Sequence, residues 1–111
     1  MKLYTELEDL NFFEWLAETH NLADTDMKPE YLDELPPDDI HRTVCNAMAF
    51  RWFREKHYVD SYIGFKKDTD KEFSFYYYQI NWTKGFGFET YEEAELACLK
   101  KLIEIVKGGN K

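Results

Sequence analysis

Phe73-Ser74-Phe75-Tyr76-Tyr77-Tyr78-Gln79-Ile80-Asn81-Trp82 decides the fold. Six of these ten residues are aromatic, a type that suits a pleated, half-buried surface, so the stretch reads as one long strand. Side chains alternate across a strand, which puts Phe73, Phe75 and Tyr77 on one face and Tyr76, Tyr78, Ile80 and Trp82 on the other. Upstream, Tyr58 to Phe65 alternates more weakly, with Val59, Ile63 and Phe65 opposite Tyr58 and Tyr62. Lys67-Asp68-Thr69-Asp70-Lys71 is a polar hairpin connection between the two runs. Downstream, Thr83-Lys84-Gly85 reads as a turn and Phe86-Gly87-Phe88 as a short third strand. Together they form an antiparallel meander.

The pattern changes to helical spacing on both sides. Thr90-Tyr91-Glu92-Glu93 is a capping box, and Ala94, Cys98, Leu102 and Ile105 then recur on one face until Gly108-Gly109. Before the strands, Ile40, Val44, Ala47 and Met48 give a stripe, widened by Cys45, Ala49, Trp52 and Phe53, in a helix from about Asp39 to Lys56. That breadth predicts a largely buried helix, with Arg42 and Asn46 among its water-facing residues. Thr5-Glu6-Leu7-Glu8 and Asn11-Phe12-Phe13-Glu14 both resemble capping boxes, so a helix over about 5–20 restarts near Asn11. Pro29 opens a single turn through Glu34, Pro36-Pro37 stops it, and Asp38 or Asp39 caps the next helix. Phe13 to Leu22 echoes Phe50 to Val59, which reads as two helix ends that each pack an aromatic pair inward. The expected class is α+β, in the order α-α-β-β-β-α, with a three-stranded antiparallel meander packed against helices. It is one domain over 1–111, with an acidic N-terminal helix and connector (1–38) and a helix-sheet-helix body (39–107).

The chain has 111 residues and a net charge of -8. Residues 1–40 hold 12 acids against 2 bases. Such a field repels phosphate backbones and attracts basic surfaces. Asp24, Asp26, Glu30, Asp33, Glu34, Asp38 and Asp39 are therefore candidate contacts for a protein with a basic surface. The aromatic strand adds Tyr76, Tyr78 and Trp82, since tyrosine and tryptophan are enriched at interfaces; a second copy of the chain is the other candidate partner there. No apolar run approaches the roughly 20 residues of a membrane helix, and Met1-Lys2-Leu3-Tyr4-Thr5-Glu6 lacks a signal pattern. Two cysteines, Cys45 and Cys98, suit a reduced intracellular setting.

Catalytic signatures are missing. Both cysteines fall on apolar helix faces, and no nucleophile-elbow pattern occurs. His20, His41 and His57 are too far apart to form a helical metal pair, and Gly85-x-Gly87 lacks the rest of a phosphate loop. The expectation is no enzyme, no metal and no cofactor. Lys84-Gly85-Phe86-Gly87-Phe88-Glu89-Thr90-Tyr91 does match the aromatic signature of RNA recognition motifs at seven of eight positions. On that resemblance Phe86 and Phe88 would stack on bases while Lys84 meets a phosphate. Glu89 stands where that fold needs an inward apolar residue, and the net charge counts against nucleic acid. The order β-β-β-α also resembles the double-stranded-RNA-binding domain. There the last helix opens with basic residues; here it opens with Glu92-Glu93-Ala94-Glu95.

Thr90 to Val106 (TYEEAELACLKKLIEIV), with Ala49-Phe-Arg-Trp-Phe-Arg-Glu-Lys-His57 upstream, resembles a family of small uncharacterised proteins of bacteriophages and mobile elements, often of Bacteroidetes. The resemblance covers about residues 49–107 and brings no catalytic residues. It implies a non-enzymatic accessory protein in the cytoplasm of a bacterial host. The first functional reading is protein–protein interaction, in its sharpest form inhibition of a host nucleic-acid-handling defence enzyme by acidic mimicry. The alternative is RNA or single-stranded DNA binding through Lys84, Phe86 and Phe88.

Overall fold

A computed structural model describes residues 2–20, 28–68, 73–81 and 83–108. Its elements are α1 (Leu3–Asp9), α2 (Phe12–His20), α3 (Pro29–Glu34), α4 (Ile40–Lys56), β1 (Ser61–Asp68), β2 (Phe73–Ile80), β3 (Thr83–Phe88) and α5 (Tyr91–Lys107). The fold is α+β with one antiparallel sheet in the order β1-β2-β3. Two compact units divide the chain, Met1–Trp52 and Phe53–Lys111, and the division falls inside α4. Among the described residues no helix is long and apolar enough to cross a membrane.

The first unit is helical. Asn11, at φ 69, breaks α1 from α2, a conformation asparagine tolerates. Its N–H bonds to the Glu8 carbonyl and its own carbonyl accepts from Trp15 N–H, so one residue closes α1 and opens α2. Thr5 does not cap α1. Lys2 holds the N-cap position without a side-chain bond, and Asp33 of α3 supplies the acceptors instead. Its carboxylate accepts from Tyr4 N–H at 2.8 Å, Thr5 N–H at 3.2 Å and Thr5 Oγ1 at 2.7 Å. Asp39 caps α4 through His41 N–H at 2.8 Å.

The stripe expected on α4 is rotated. Ile40 is 68% exposed and Val44 46%, while Arg42, Cys45, Asn46, Ala49 and Trp52 are buried. A polar network explains the rotation. The Tyr4 hydroxyl donates to Asn46 Oδ1 and accepts from Arg42 Nε at 3.3 Å. Arg42 also donates to the Leu35 carbonyl at 2.7 Å and lies 5.3 Å above the Tyr4 ring. Buried polar groups are tolerated once bonded, and these partners come from α1 and the chain after α3. Phe12 packs edge-on against Trp52 at 5.4 Å, which places the indole of α4 in the same core.

In the second unit β1 pairs with β2 from Ser61↔Ile80 to Asp68↔Phe73. Ile80 then pairs with Thr83, so Thr83-Lys84-Gly85 belongs to β3 rather than to a turn. A two-residue hairpin connection needs a positive φ at its first position, and Asn81 has φ 47. Tyr77 pairs with Phe86, but Tyr76 pairs with Phe88: a bulge at Gly87, φ 91, adds one residue to β3. α5 starts at the Thr90 cap, whose Oγ1 accepts from Glu93 N–H at 3.1 Å, and packs on all three strands. Ala94, Cys98, Leu99, Leu102 and Ile103 are buried along it.

Candidate binding face

Pairing register and ring contacts assign every described side chain of the sheet to a face. Tyr76 meets Tyr91 of α5 edge-on at 6.1 Å, Ile80 is fully buried, and Tyr78 stacks on Phe88 at 6.0 Å. Burial raises the Tyr78 pKa; Cys98 and Glu104 of α5 push it the same way, against Lys101. That face is therefore the helix side. Tyr76 and Tyr78, chosen from the sequence as partner contacts, are occupied in packing, and Trp82 lies outside the described residues.

The other face carries four rings in a row across three strands. Tyr62 of β1 meets Tyr77 of β2 edge-on at 6.1 Å, and Phe75 of β2 lies 6.2 Å from Phe86 of β3. Phe86 is 68% exposed and Tyr62 55%. Tyr77 lies over Gly64: a Cβ at that glycine would sit 2.3 Å from Tyr77 Cζ. The missing side chain lets the ring lie down on the sheet. Lys84 reaches over the Tyr77 ring, Nζ to centroid 5.4 Å, and Lys66 shares the face by register. Gln79 ties the end of the hairpin by donating to the Asn81 carbonyl at 2.7 Å and to that of Thr83 at 3.3 Å. The nearby Tyr77 raises the Tyr62 pKa, and burial and their mutual hydrogen bond push it the same way.

Of the nucleic-acid candidates, Lys84 and Phe86 thus fall on the open face. Phe88 does not: the Gly87 bulge turns it to the helix side. Tyr62, Lys66 and Tyr77 join instead. Their signal was present in the alternation of β1 and β2, but it takes the register to align the two strands. The acidic candidates also divide. Asp33 and Asp39 serve as helix caps, Glu30, Glu34 and Asp38 are exposed, and Asp24 and Asp26 lie outside the described residues.

Among the described residues no group of three His, Cys, Asp or Glu side chains could hold a metal ion. Burial pushes the pKa of both Cys45 and Cys98 up to about 12, so neither offers a thiolate at neutral pH. No family model matches the chain, nor does any curated protein or solved structure.

Proposed function

We propose that this chain is a non-catalytic binding protein whose working surface is the open face of the sheet, and that the face receives unpaired bases of single-stranded nucleic acid. One observation carries the reading: Tyr62 and Phe86, each more than half exposed, flank a sheet face covered by aromatic rings. Every base has a π-face, so such rings bind single strands with little regard to sequence. Lys66 and Lys84 supply cations for the phosphates between stacked bases. Along the sequence the chain's net negative charge is carried by its first half. Residues 1–52 hold 12 acids and 4 bases, whereas residues 53–111 hold 10 of each.

The test is fluorescence anisotropy with a labelled single-stranded 12-mer, as DNA and as RNA, at low salt. The expected result is saturable binding that weakens by about tenfold in Phe86→Ala and in Tyr62→Ala. A matching duplex, whose bases are not free to stack, should bind less well. No binding at low salt, or binding indifferent to both substitutions, sinks the proposal.

A second reading rests on the exposure of Glu30, Glu34 and Asp38. They would contact a basic protein, as in an accessory protein of a phage or mobile element that occupies the phosphate groove of a host enzyme. Charge reversal at these three positions abolishes capture of that partner under this reading, whereas under the first it does not weaken oligonucleotide binding.

A further inference from the structure

A concavity separate from the aromatic face, on the helix side of the sheet, has a volume of about 520 Å³. It lies where the end of α4, the β2–β3 hairpin and the last turns of α5 converge. Its apolar lining comes from Val59, Ile80 and Ile105. Around this stand His57, Tyr58 and Asn81, with Lys101 and Glu104 on one side. The size falls within the range of small-molecule sites, and so does the arrangement of an apolar floor under a few polar groups.

Tyr58 is the residue that folding does not explain. Its φ is 56, a left-handed conformation that disfavours bulky side chains. The chain needs such a residue there. The Phe53 carbonyl accepts the last α4 bond from His57 N–H and then a second from Val59 N–H at 3.1 Å, across a reversal at Tyr58. Glycine or asparagine usually fills the left-handed position after a helix. Asn11, after α1, follows that rule, and the remaining described non-glycine residue at positive φ, Asn81 in the β2–β3 hairpin, is an asparagine too. Tyr58 breaks it, and its side chain gains no burial in return, since the residue is 87% exposed. Strain of this kind without compensation in packing is characteristic of functional positions.

We propose that this recess binds an uncharged, planar heteroaromatic ring of nucleoside size, with Tyr58 stacking on it. The absence of net charge follows from the rim. Lys101 Nζ and Glu104 Oε1 neutralise each other at 3.2 Å. Partial burial lowers the His57 pKa, which keeps its imidazole neutral at pH 7. The Asn81 amide and the Thr83 hydroxyl add hydrogen-bonding groups without charge. An anionic ligand would find no unbalanced cation there, and an aliphatic one would leave Tyr58 unused.

The experiment titrates adenosine into the isotopically labelled full chain and follows backbone amide shifts, with adenosine monophosphate and benzoate as anionic comparators. Adenosine should shift the amides of His57, Tyr58, Val59 and Asn81 saturably, and neither the phosphate nor the carboxylate should improve binding. Tyr58→Gly should weaken adenosine by about tenfold while its Tm rises by a few degrees, because glycine accepts the backbone conformation. Ile105→Trp, which narrows the recess, should weaken it as well, and Phe86→Ala should leave it unchanged, so this site stands or falls apart from the sheet face. The proposal is overturned by no saturable shift up to about 10 mM adenosine. It is also overturned if Tyr58→Gly binds like the parent or melts below it, or if the monophosphate binds more than about tenfold tighter.

Discussion

Asp33 carries more structure than its place in an acidic segment suggests. A helix begins with N–H groups that have no partner inside it, and α1 brings no cap of its own at Lys2. The Asp33 carboxylate takes two of those N–H groups and the Thr5 hydroxyl as well, across 28 and 29 residues of sequence. Asp33→Ala should therefore cost about 1–2 kcal/mol in urea unfolding, and Asp33→Asn, which keeps one oxygen acceptor, distinctly less. The capping box at Thr90 was legible because its partners are three residues apart; the cap at Asp33 was not, because no local pattern announces a partner on another helix. His57 makes a second prediction at this scale. Its pKa is lowered in the folded chain by burial, so the unfolded chain binds the proton more readily. No penalty exists well above pH 6.5. As the pH falls through the unfolded value the unfolded state gains, and the loss levels off below the folded pKa. Urea unfolding of the parent and of His57→Gln, compared from pH 8 to pH 5, should show a shallower acid-side decline in the variant.

At the level of elements, two glycines under two tyrosines separate binding from stability. A Cβ at Gly64 would meet the Tyr77 ring on the open face at 2.3 Å; one at Gly85 would meet the Tyr78 ring on the helix side at 2.2 Å. The Tyr77 ring has solvent to swing into, whereas Tyr78 lies between the sheet and α5. Gly64→Ala should thus cost about 1 kcal/mol yet weaken oligonucleotide binding severalfold, while Gly85→Ala should cost about 1–3 kcal/mol and leave binding of the folded fraction unchanged. Anisotropy and urea unfolding on both variants check the pair. The strands themselves were readable, since alternation fixes the two faces of β2 whatever lies around it. The bulge was not: Phe86-Gly87-Phe88 looks like one face of a regular strand, and only a positive φ at Gly87 moves Phe88 across. α4 misled for a different reason. Hydrophobic periodicity ranks Ile40 and Val44 above Arg42 and Asn46, and it has no means of seeing that Tyr4 satisfies the latter two.

For the whole molecule the deciding quantity is the segregation of charge. The chain carries -8, and the balance of acids and bases over residues 53–111 places that entire excess in residues 1–52. Under the nucleic-acid reading, an oligonucleotide approaching Lys66 and Lys84 is attracted by those lysines and repelled by a chain whose net charge is -8. At 0.01 M salt the screening length is about 30 Å and the net charge is felt at long range; at 1 M it is about 3 Å and only the lysine contacts remain. Glu30→Gln, Glu34→Gln and Asp38→Asn together bring the net charge from -8 to -5 without touching a cap or a ring. Under the nucleic-acid reading this triple variant should associate severalfold faster than the parent at low salt, measured by stopped-flow anisotropy, and the two should converge as salt rises. Under the basic-partner reading the same three carboxylates are the contact, so the variant should lose its partner and gain nothing with oligonucleotide. A triple variant that associates with oligonucleotide no faster at low salt leaves the aromatic face without the electrostatic competition its composition demands, and that reading then loses to the protein partner.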